Sequence, residues 1–220
     1  MKTVELHDAY VIDGKVHEHI YTVDGEIRPG VSDILHATGF ANPWVERFRR
    51  AATFGTALHA AIGLDVEGDL GDTDPNPQFQ NALAAWRQFR DDYNPVPYHT
   101  TAHDAEGGGW YVERPLYNER NGYCGTPDMF CLLNDKSYAI LDWKSGAYDA
   151  ITVPLKMSAY EALVAEAEQI RGTRIQKLVV ILSCEAERRG KRYRIVKCNN
   201  PLADHVWQSC VNIYRWKQAA

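Results

Sequence analysis

Residues 123–146 read YCGTPDMFCLLNDKSYAILDWKSG, and this stretch decides the fold. Two strand-like segments flank the polar residues 134–136, a pattern that is typical of a β-hairpin. If those three residues form the loop, the numbers of paired residues sum to 270. Asp128 and Asp142 then lie opposite each other on one face of the hairpin, with Cβ atoms ~5 Å apart.

Two carboxylates in that position destabilise a sheet unless a positive group lies between them. A divalent cation meets this need, and oxygen ligands suit Mg²⁺ or Mn²⁺. Because side chains alternate along a strand, Lys144 shares the face of Asp142, and the backbone carbonyl of Trp143 is a further candidate ligand. The pattern D/E-x-K is expected about once by chance in this composition. A second copy, residues 13–15, lies in a turn-forming context, whereas Asp142 ends an apolar strand.

The pattern of the flanking segments predicts an α/β (α+β) core with a mixed sheet. Asp13-Gly14 and Asp24-Gly25 indicate hairpin turns in an N-terminal β-meander, residues 1–28. Ser32-Asp33 is typical of a cap that opens a short helix. Further helices are predicted from Pro43 with an interruption near Gly55, over 78–93, from Pro154 to Ile170, and from Pro201 to Lys217. Further strands are predicted over 110–117, 177–183 and 191–198, and residues 65–77 are expected to form a solvated acidic loop.

Composition limits the class of protein. The chain has 220 residues, 45% hydrophobic residues and a net charge of -5, which suits one globular domain with a small appendage. An acidic total argues against a polyanionic partner, but the charge is unevenly distributed. Residues 1–100 carry 15 acidic and 8 basic side chains, whereas residues 171–220 carry 3 acidic and 11 basic ones. A polyanionic partner would therefore approach the basic C-terminal quarter and avoid the acidic loop.

No signal-peptide core or membrane-spanning run is present in the sequence, so a cytoplasmic protein is expected. The five cysteines include no C-x-x-C pair, which favours reduced thiols over disulfides or zinc. His17-Glu18-His19 has no evident third ligand and is interpreted as surface.

Several motifs resemble one known family. Gly125-Thr126-Pro127-Asp128, followed by Asp142-Trp143-Lys144-Ser145-Gly146, resembles the GT-x-D … D-x-K-[ST]-G signature of RecB-like nucleases, in the PD-(D/E)xK superfamily. Residues 55–59 (GTALH) resemble the upstream histidine motif of that family, and residues 29–35 (PGVSDIL) resemble the entry segment of stand-alone, often phage-encoded, members. The likeness spans residues 29–170, and a phage-encoded member of the family would act in the host cytoplasm. It implies a restriction-endonuclease-like core, with the mixed central sheet flanked by helices, in a nuclease domain over residues 29–220.

The resemblance implies metal-dependent hydrolysis of a phosphodiester, with Asp128, Asp142, Lys144 and Glu113 as catalytic residues. Asp128, Asp142 and the Trp143 carbonyl would hold the metal, joined by His59 and Glu113, and Lys144 would orient water or stabilise the transition state. Tyr160 matches the tyrosine of the family's Q-x-x-x-Y motif, in an outer supporting position. Lys156 departs from the motif by occupying the glutamine position. Clustered cysteines and a G-x-x-x-x-G-K-[ST] sequence are absent, so neither an iron–sulfur cluster nor ATP is expected.

The leading hypothesis is a DNA exonuclease of recombination or phage DNA processing, with DNA as partner and a recombination or annealing protein as a candidate second partner. The sequence leaves open a structure-specific or restriction-type endonuclease and a non-catalytic DNA-binding or assembly module. The choice between Mg²⁺ and Mn²⁺, the number of metal ions and a homo-oligomeric state also stay open. Cationic groups expected to meet phosphate form two clusters, the first before the histidine motif (Arg47, Arg49, Arg50) and the second in a late hairpin (Arg188, Arg189, Lys191, Arg192, Arg194).

Overall fold

A computed structural model describes residues 2–7, 10–12, 15–17, 20–41, 49–72, 76–100, 109–146, 148–182 and 190–220. Five helices occur in these ranges: α1 (Val31–Ala37), α2 (Arg49–Glu67), α3 (Pro77–Tyr93), α4 (Thr152–Ala167) and α5 (Pro201–Ala219). The strands before α3 are β1 (Val4–His7), β2 (Tyr10–Ile12), β3 (Lys15–His17), β4 (Ile20–Val23) and β5 (Glu26–Arg28). The strands after α3 are β6 (Val96–Pro97), β7 (His99–Thr100), β8 (Gly109–Trp110), β9 (Leu116–Asn118), β10 (Tyr123–Gly125), β11 (Met129–Leu132), β12 (Tyr138–Lys144), β13 (Ile175–Leu182) and β14 (Tyr193–Lys197).

The central sheet has the strand order β14-β13-β12-β11-β6. It is mixed, because β12 and β13 are parallel while β11 pairs with β12, and β13 with β14, in antiparallel fashion. The parallel step requires a crossover connection, and α4 provides it. The predicted α+β class with a mixed sheet is confirmed.

Helices cover both faces of this sheet. On one face, Ile140, Val179 and Ile181 belong to a core that includes side chains from α1, α4 and α5. On the other face, alternate residues of the same strands, such as Leu141 and Val180, pack with side chains from α2 and α3. Burial on both sides explains why β13 is a continuous apolar run rather than an alternating strand. Asp142 and Lys144 share the face of Ile140, so they lie on the α4 side.

The N-terminal strands form the sheet β1-β4-β5 and a separate β2-β3 hairpin. The Asp24-Gly25 turn has positive φ at both residues, +52° and +81°, as the D-G pattern predicts for a tight hairpin. Residues 13–14 lie outside the described residues, and Ile12 pairs with Lys15 on either side of them. Tyr21 and Val23 of β4 pack against Cys124, which joins this sheet to β10. The boundary between an appendage, residues 1–28, and a nuclease domain stays a prediction.

The strand predicted over 110–117 is divided between β8 and β9. Three further local predictions are wrong. Gly30, rather than Ser32-Asp33, precedes α1, and the Asp33 carboxylate inside the first turn accepts the Gly30 N–H at 2.7 Å. α2 continues through Gly55, because a single helical glycine weakens a helix without ending it. Residues 43–48 of the predicted first helical segment lie outside the described residues.

The third error concerns Asp65, which belongs to α2 and not to a solvated loop. Its carboxylate accepts hydrogen bonds from Trp86 Nε1 (3.0 Å), Arg87 Nε (3.1 Å) and Arg90 Nη1 (2.6 Å). Its side chain is only 7% exposed. The charge therefore joins α2 to α3, and the acidic front that nucleic acid is expected to avoid is smaller than the sequence indicates.

The predicted amphipathic helix over 78–93 is confirmed as α3, with Phe79, Leu83, Trp86 and Phe89 buried. Cys124, Cys131, Cys198 and Cys210 are buried free thiols, and Cys184 lies outside the described residues. Among the described residues, no helix combines the length and apolar character that crossing a membrane requires.

Candidate metal centre

The β11–β12 hairpin positions the two aspartates. Met129 pairs with Leu141 and Phe130 with Ile140, so paired residue numbers sum to 270 as predicted. Extended by one residue, this register puts Asp128 opposite Asp142. The Trp143 N–H donates to Asp128 Oδ2 at 2.8 Å, which fixes the Asp128 side chain at the end of the sheet. Both carboxylates are withdrawn from solvent, Asp142 completely and Asp128 to 4% exposure.

His59 reaches this point from α2, on the opposite side of the sheet from α4. Its Nε2 lies 3.0 Å from the carbonyl oxygen of Trp143. A carbonyl can only accept, so the hydrogen of a neutral His59 ring is assigned to Nε2. Nδ1 is then an unprotonated acceptor, and it lies 3.3 Å from Glu113 Oε1 and 3.6 Å from Asp128 Oδ1. When His59 is neutral, three electron-pair donors therefore converge with no hydrogen between them.

Glu113 completes this group of three. Its N–H donates to the backbone oxygen of Asp128 at 3.0 Å, and its φ of +47° lies in the left-handed region. Among the described residues, Glu113 Oε1 is shielded from solvent and accepts no hydrogen bond. Ligand atoms of His59, Glu113 and Asp128 all lie within 4.8 Å of one another. An orphaned carboxylate oxygen beside an imidazole nitrogen and a second carboxylate is a donor set that fits Mg²⁺ or Mn²⁺.

The predicted ligands Asp142 and the Trp143 carbonyl have other partners. Lys144 Nζ lies 2.9 Å from Asp142 Oδ1 and 2.7 Å from Oδ2, so this lysine neutralises Asp142 directly. The Trp143 carbonyl orients His59, an arrangement typical of the backbone group behind a metal-bound histidine. The structure thus brings three of the five predicted metal ligands together and places the other two beside them.

The protonation of the centre reflects its excess of negative charge. Burial, with the nearby charges of Asp142 and Glu113, raises the pKa of Asp128 to about 7. Burial acts against the charged form of His59, but Asp128 and Glu113 outweigh it and raise the pKa of the imidazole. Burial likewise disfavours ionised Asp142, yet Lys144 and then Lys156 hold its pKa below the usual value. A divalent cation among these groups would take the place of the protons that they otherwise retain.

The loop that carries Asp128 is packed against α4. A Cβ at Gly125 would lie 2.8 Å from Leu163 Cδ1 and 2.9 Å from Val31 Cγ2, so only glycine fits between α1 and α4. The glycine of the GT-x-D motif therefore serves packing rather than chemistry. Tyr160 of α4 is 4% exposed, and Lys156 Nζ lies 5.3 Å from the centroid of its ring. Sequence reasoning missed Tyr21, whose hydroxyl lies 3.0 Å from Thr126 Oγ1, because nothing in an N-terminal strand pattern indicates a partner 105 residues away.

The basic clusters are only partly described. Arg47, Arg188 and Arg189 lie outside the described residues, and α2 begins at Arg49 and includes Arg50. Lys191 is paired with Asp92 at 2.6 Å, and the Arg192 N–H donates to Gln88 Oε1 at 2.7 Å. These contacts hold the late hairpin against α3.

Arg194 differs from its neighbours in the hairpin. It pairs with Ile181, which pairs in turn with Lys144. Residues in register on adjacent strands project to the same face, so Arg194 shares the face of Lys144, about 10 Å away across two strand spacings. Arg194 is exposed and forms no ion pair within the described ranges. Contact with DNA stays a prediction for all eight basic residues, and Arg194 is the described one that lies best for it.

The sequence matches no known protein-family profile, and no curated protein matches it. Among solved structures, the chain is similar to a crystal structure from Eubacterium rectale named "Putative exonuclease", with a TM-score of 0.46 and 11% sequence identity. The likeness covers 88% of this chain and 74% of that chain. A similarity of this size assigns no activity, so the RecB-like family stays a prediction that rests on the motifs.

Proposed function

We propose that the protein is a divalent-metal-dependent deoxyribonuclease. One observation carries the proposal: His59, Glu113 and Asp128 offer ligand atoms within 4.8 Å of one another, beside the Lys144–Asp142 ion pair. A bound metal ion would polarise a phosphoryl oxygen and lower the pKa of its water.

The residues of the chain have separate tasks in this reaction. His59, Glu113 and Asp128 hold the cation, and the Trp143 carbonyl keeps the His59 ring in the orientation that presents Nδ1. Lys144 lies at the end of β12, 24% exposed, with its ammonium fixed by Asp142. It provides a preorganised positive charge for the phosphorane-like transition state. Asp142 therefore has two tasks: it positions Lys144, and it contributes negative charge beside the metal.

The substrate class follows from charge and from the resemblance. Arg194 and Lys144 lie in register at the same end of the central sheet, and the C-terminal quarter is basic, so a phosphate backbone can lie along that end of the sheet. The motifs favour the finer proposals: exonuclease action, Mg²⁺ or Mn²⁺ as cofactor, and a cytoplasmic role in recombination or phage DNA processing.

The test is incubation of linear duplex, linear single-stranded and covalently closed DNA, and of RNA, with Mg²⁺, Mn²⁺ or EDTA. Metal-dependent loss of linear DNA with closed circles intact is expected. Nicking of closed circles would replace the exonuclease proposal by an endonuclease, and absence of metal-dependent DNA cleavage would contradict the proposed function. Asp142→Asn should abolish cleavage. Asp135→Asn, the same change at the exposed turn of the same hairpin, is the matched control and should cleave like the parent.

A further inference from the structure

Lys156 occupies a distinctive position beside the metal centre. It lies on α4, half-buried, one helical turn before Tyr160. The Tyr160 ring holds its ammonium group, with Nζ 5.3 Å from the ring centroid, as cations are held over aromatic faces. Tyr160 in turn rests on the Asp128 loop, since its Cε1 would be 3.2 Å from a Cβ at Gly125. The Tyr160 ring thus contacts both the Lys156 ammonium group and Gly125, which lies three residues before Asp128.

This lysine acts on the carboxylates without binding one. In the part of the chain that the structure describes, Lys144 and Lys177 form ion pairs within 4.0 Å in this region, whereas Lys156 forms none. Burial disfavours its charged form, yet Asp142 and then Asp128 outweigh burial and raise its pKa. Lys156 is therefore positively charged at neutral pH. It interacts electrostatically with both aspartates and forms an ion pair with neither.

We propose that the centre holds a single divalent cation, and that Lys156 supplies, as a fixed part of the protein, the positive charge that a second cation would bring to the phosphate. This inference rests on the proposed function, and it deepens it by assigning the metal stoichiometry.

The charges of the described residues support a single ion. Glu113, Asp128 and Asp142, with Lys144 and Lys156, leave one net negative charge when His59 is neutral. One divalent cation and one phosphodiester then bring the complex to neutrality. A second divalent cation would leave two uncompensated positive charges in a buried place, which is unfavourable. With glutamine at position 156, as in the family motif, the same centre would carry one more negative charge and accept a second cation more readily.

The experiment is titration of the full-length protein with Mn²⁺ alone, followed by calorimetry and by electron paramagnetic resonance of the free ion. The parent is expected to bind one ion per chain. Lys156→Gln should bind its first ion at least about tenfold more tightly, because a positive charge near the site has been removed. Lys156→Arg keeps the charge and should bind like the parent. Lys136→Gln makes the same charge change at the far, exposed end of the hairpin and should leave Mn²⁺ affinity unchanged.

Two tight ions per chain in the parent would overturn the proposal. So would a Lys156→Gln affinity that matches that of Lys136→Gln. If Lys156→Gln unfolds, Lys156→Met replaces it, because it also removes the positive charge. Lys156→Met should bind its first Mn²⁺ more tightly than the parent does, and an equal affinity would overturn the proposal. Failure of the proposed function is separate, since it would appear as a parent protein that binds one Mn²⁺ and cleaves no DNA.

Discussion

Two clusters of buried charged groups lie on the α4 side of the central sheet, and their buried members have opposite charges. In the first, the buried group is a cation: Lys177 of β13 is 3% exposed and contacts Glu161 Oε2 at 2.7 Å and Asp204 Oδ1 at 2.6 Å. Its two acids are 31% and 48% exposed, so their remaining charge reaches water. In the metal centre the buried groups are anions, Asp128 and Asp142, and a Glu113 oxygen lacks a hydrogen bond among the described residues.

The difference separates a cluster that is neutralised within the protein from one that is suited to bind a cation. Lys177 also contacts Ser158 Oγ at 3.4 Å. Its ammonium group therefore has two partners from α4, Ser158 and Glu161, and one from α5, Asp204. This cluster joins two helices to the sheet and needs nothing from solution. The candidate metal centre has more negative charge than its own lysines neutralise, and an additional cation would complete it.

Removing a metal-facing carboxylate should have the largest effect. Asp128→Asn is expected to lower the rate of DNA cleavage by at least about a thousandfold, while the metal-free protein becomes more stable because one buried negative charge is lost. Cleavage assays and thermal unfolding in EDTA and in Mn²⁺ measure the two effects. If the metal-free variant is less stable than the metal-free parent, the Asp128 carboxylate is already compensated without a cation. That result would contradict the contrast with the Lys177 cluster.

Stripping the Lys177 cluster should give the next largest effect, and with the opposite sign for stability. Glu161→Gln combined with Asp204→Asn leaves a buried ammonium uncompensated and should reduce the free energy of unfolding by about 3 kcal/mol. Urea unfolding measures this loss. Mn²⁺ affinity should match that of the parent, and a large change in it would mean that the two clusters are coupled through α4.

The pH dependence of stability should also distinguish the clusters. Asp128 has a pKa of about 7 in the folded protein against an ordinary 3.8. Between these values the native state holds a proton that the unfolded chain lacks, so the metal-free protein should lose stability as pH rises and level off above about 7. The raised pKa of His59 acts in the same direction. Unfolding in EDTA from about pH 5 to about pH 8 should show this slope in the parent and a flatter one in Asp128→Asn. Equal slopes would contradict the assignment.

The smallest effect is expected from substitutions in the basic hairpin, and it concerns DNA binding. At this surface too, one cationic residue has an acidic partner within the protein and another forms no ion pair among the described residues. Lys191 is paired with Asp92, whereas Arg194 is exposed on the Lys144 face. Arg194→Ala should weaken DNA binding severalfold and reduce the salt dependence by about one phosphate contact. Lys191→Ala is the matched control, and a smaller loss is expected of it. Filter binding at several salt concentrations measures both, and a greater loss for Lys191 would reverse the interpretation.

The hairpin register could be predicted from sequence because it depends on local information. Three polar residues form the turn, and Leu133 N donates to Ser137 O at 3.0 Å across it. The alternation of side chains then places Asp128 and Asp142 with no further knowledge of the fold. The convergence of His59 and Glu113 could be expected only through the resemblance, since they come from distant parts of the chain.

The errors arise where distant partners decide. Asp65 is in an acidic, turn-rich sequence, yet Trp86, Arg87 and Arg90 hold it at the α2–α3 contact. Likewise, the hydrogen bond between His59 and the Trp143 carbonyl joins two distant segments of the chain, while a metal-ligand role for that carbonyl stays a prediction. No periodicity or turn pattern within a strand contains that information.

The left-handed backbone at Glu113 has an evolutionary consequence. A non-glycine residue at a φ of +47° costs about 1 kcal/mol or more, and glycine at this position would relieve the strain while deleting the carboxylate. Selection for folding alone would therefore replace Glu113, whereas selection for the metal centre would retain it. In a library of variants, position 113 should be enriched for glycine when survivors are chosen by heat resistance in EDTA, and purged of it when they are chosen by nuclease activity.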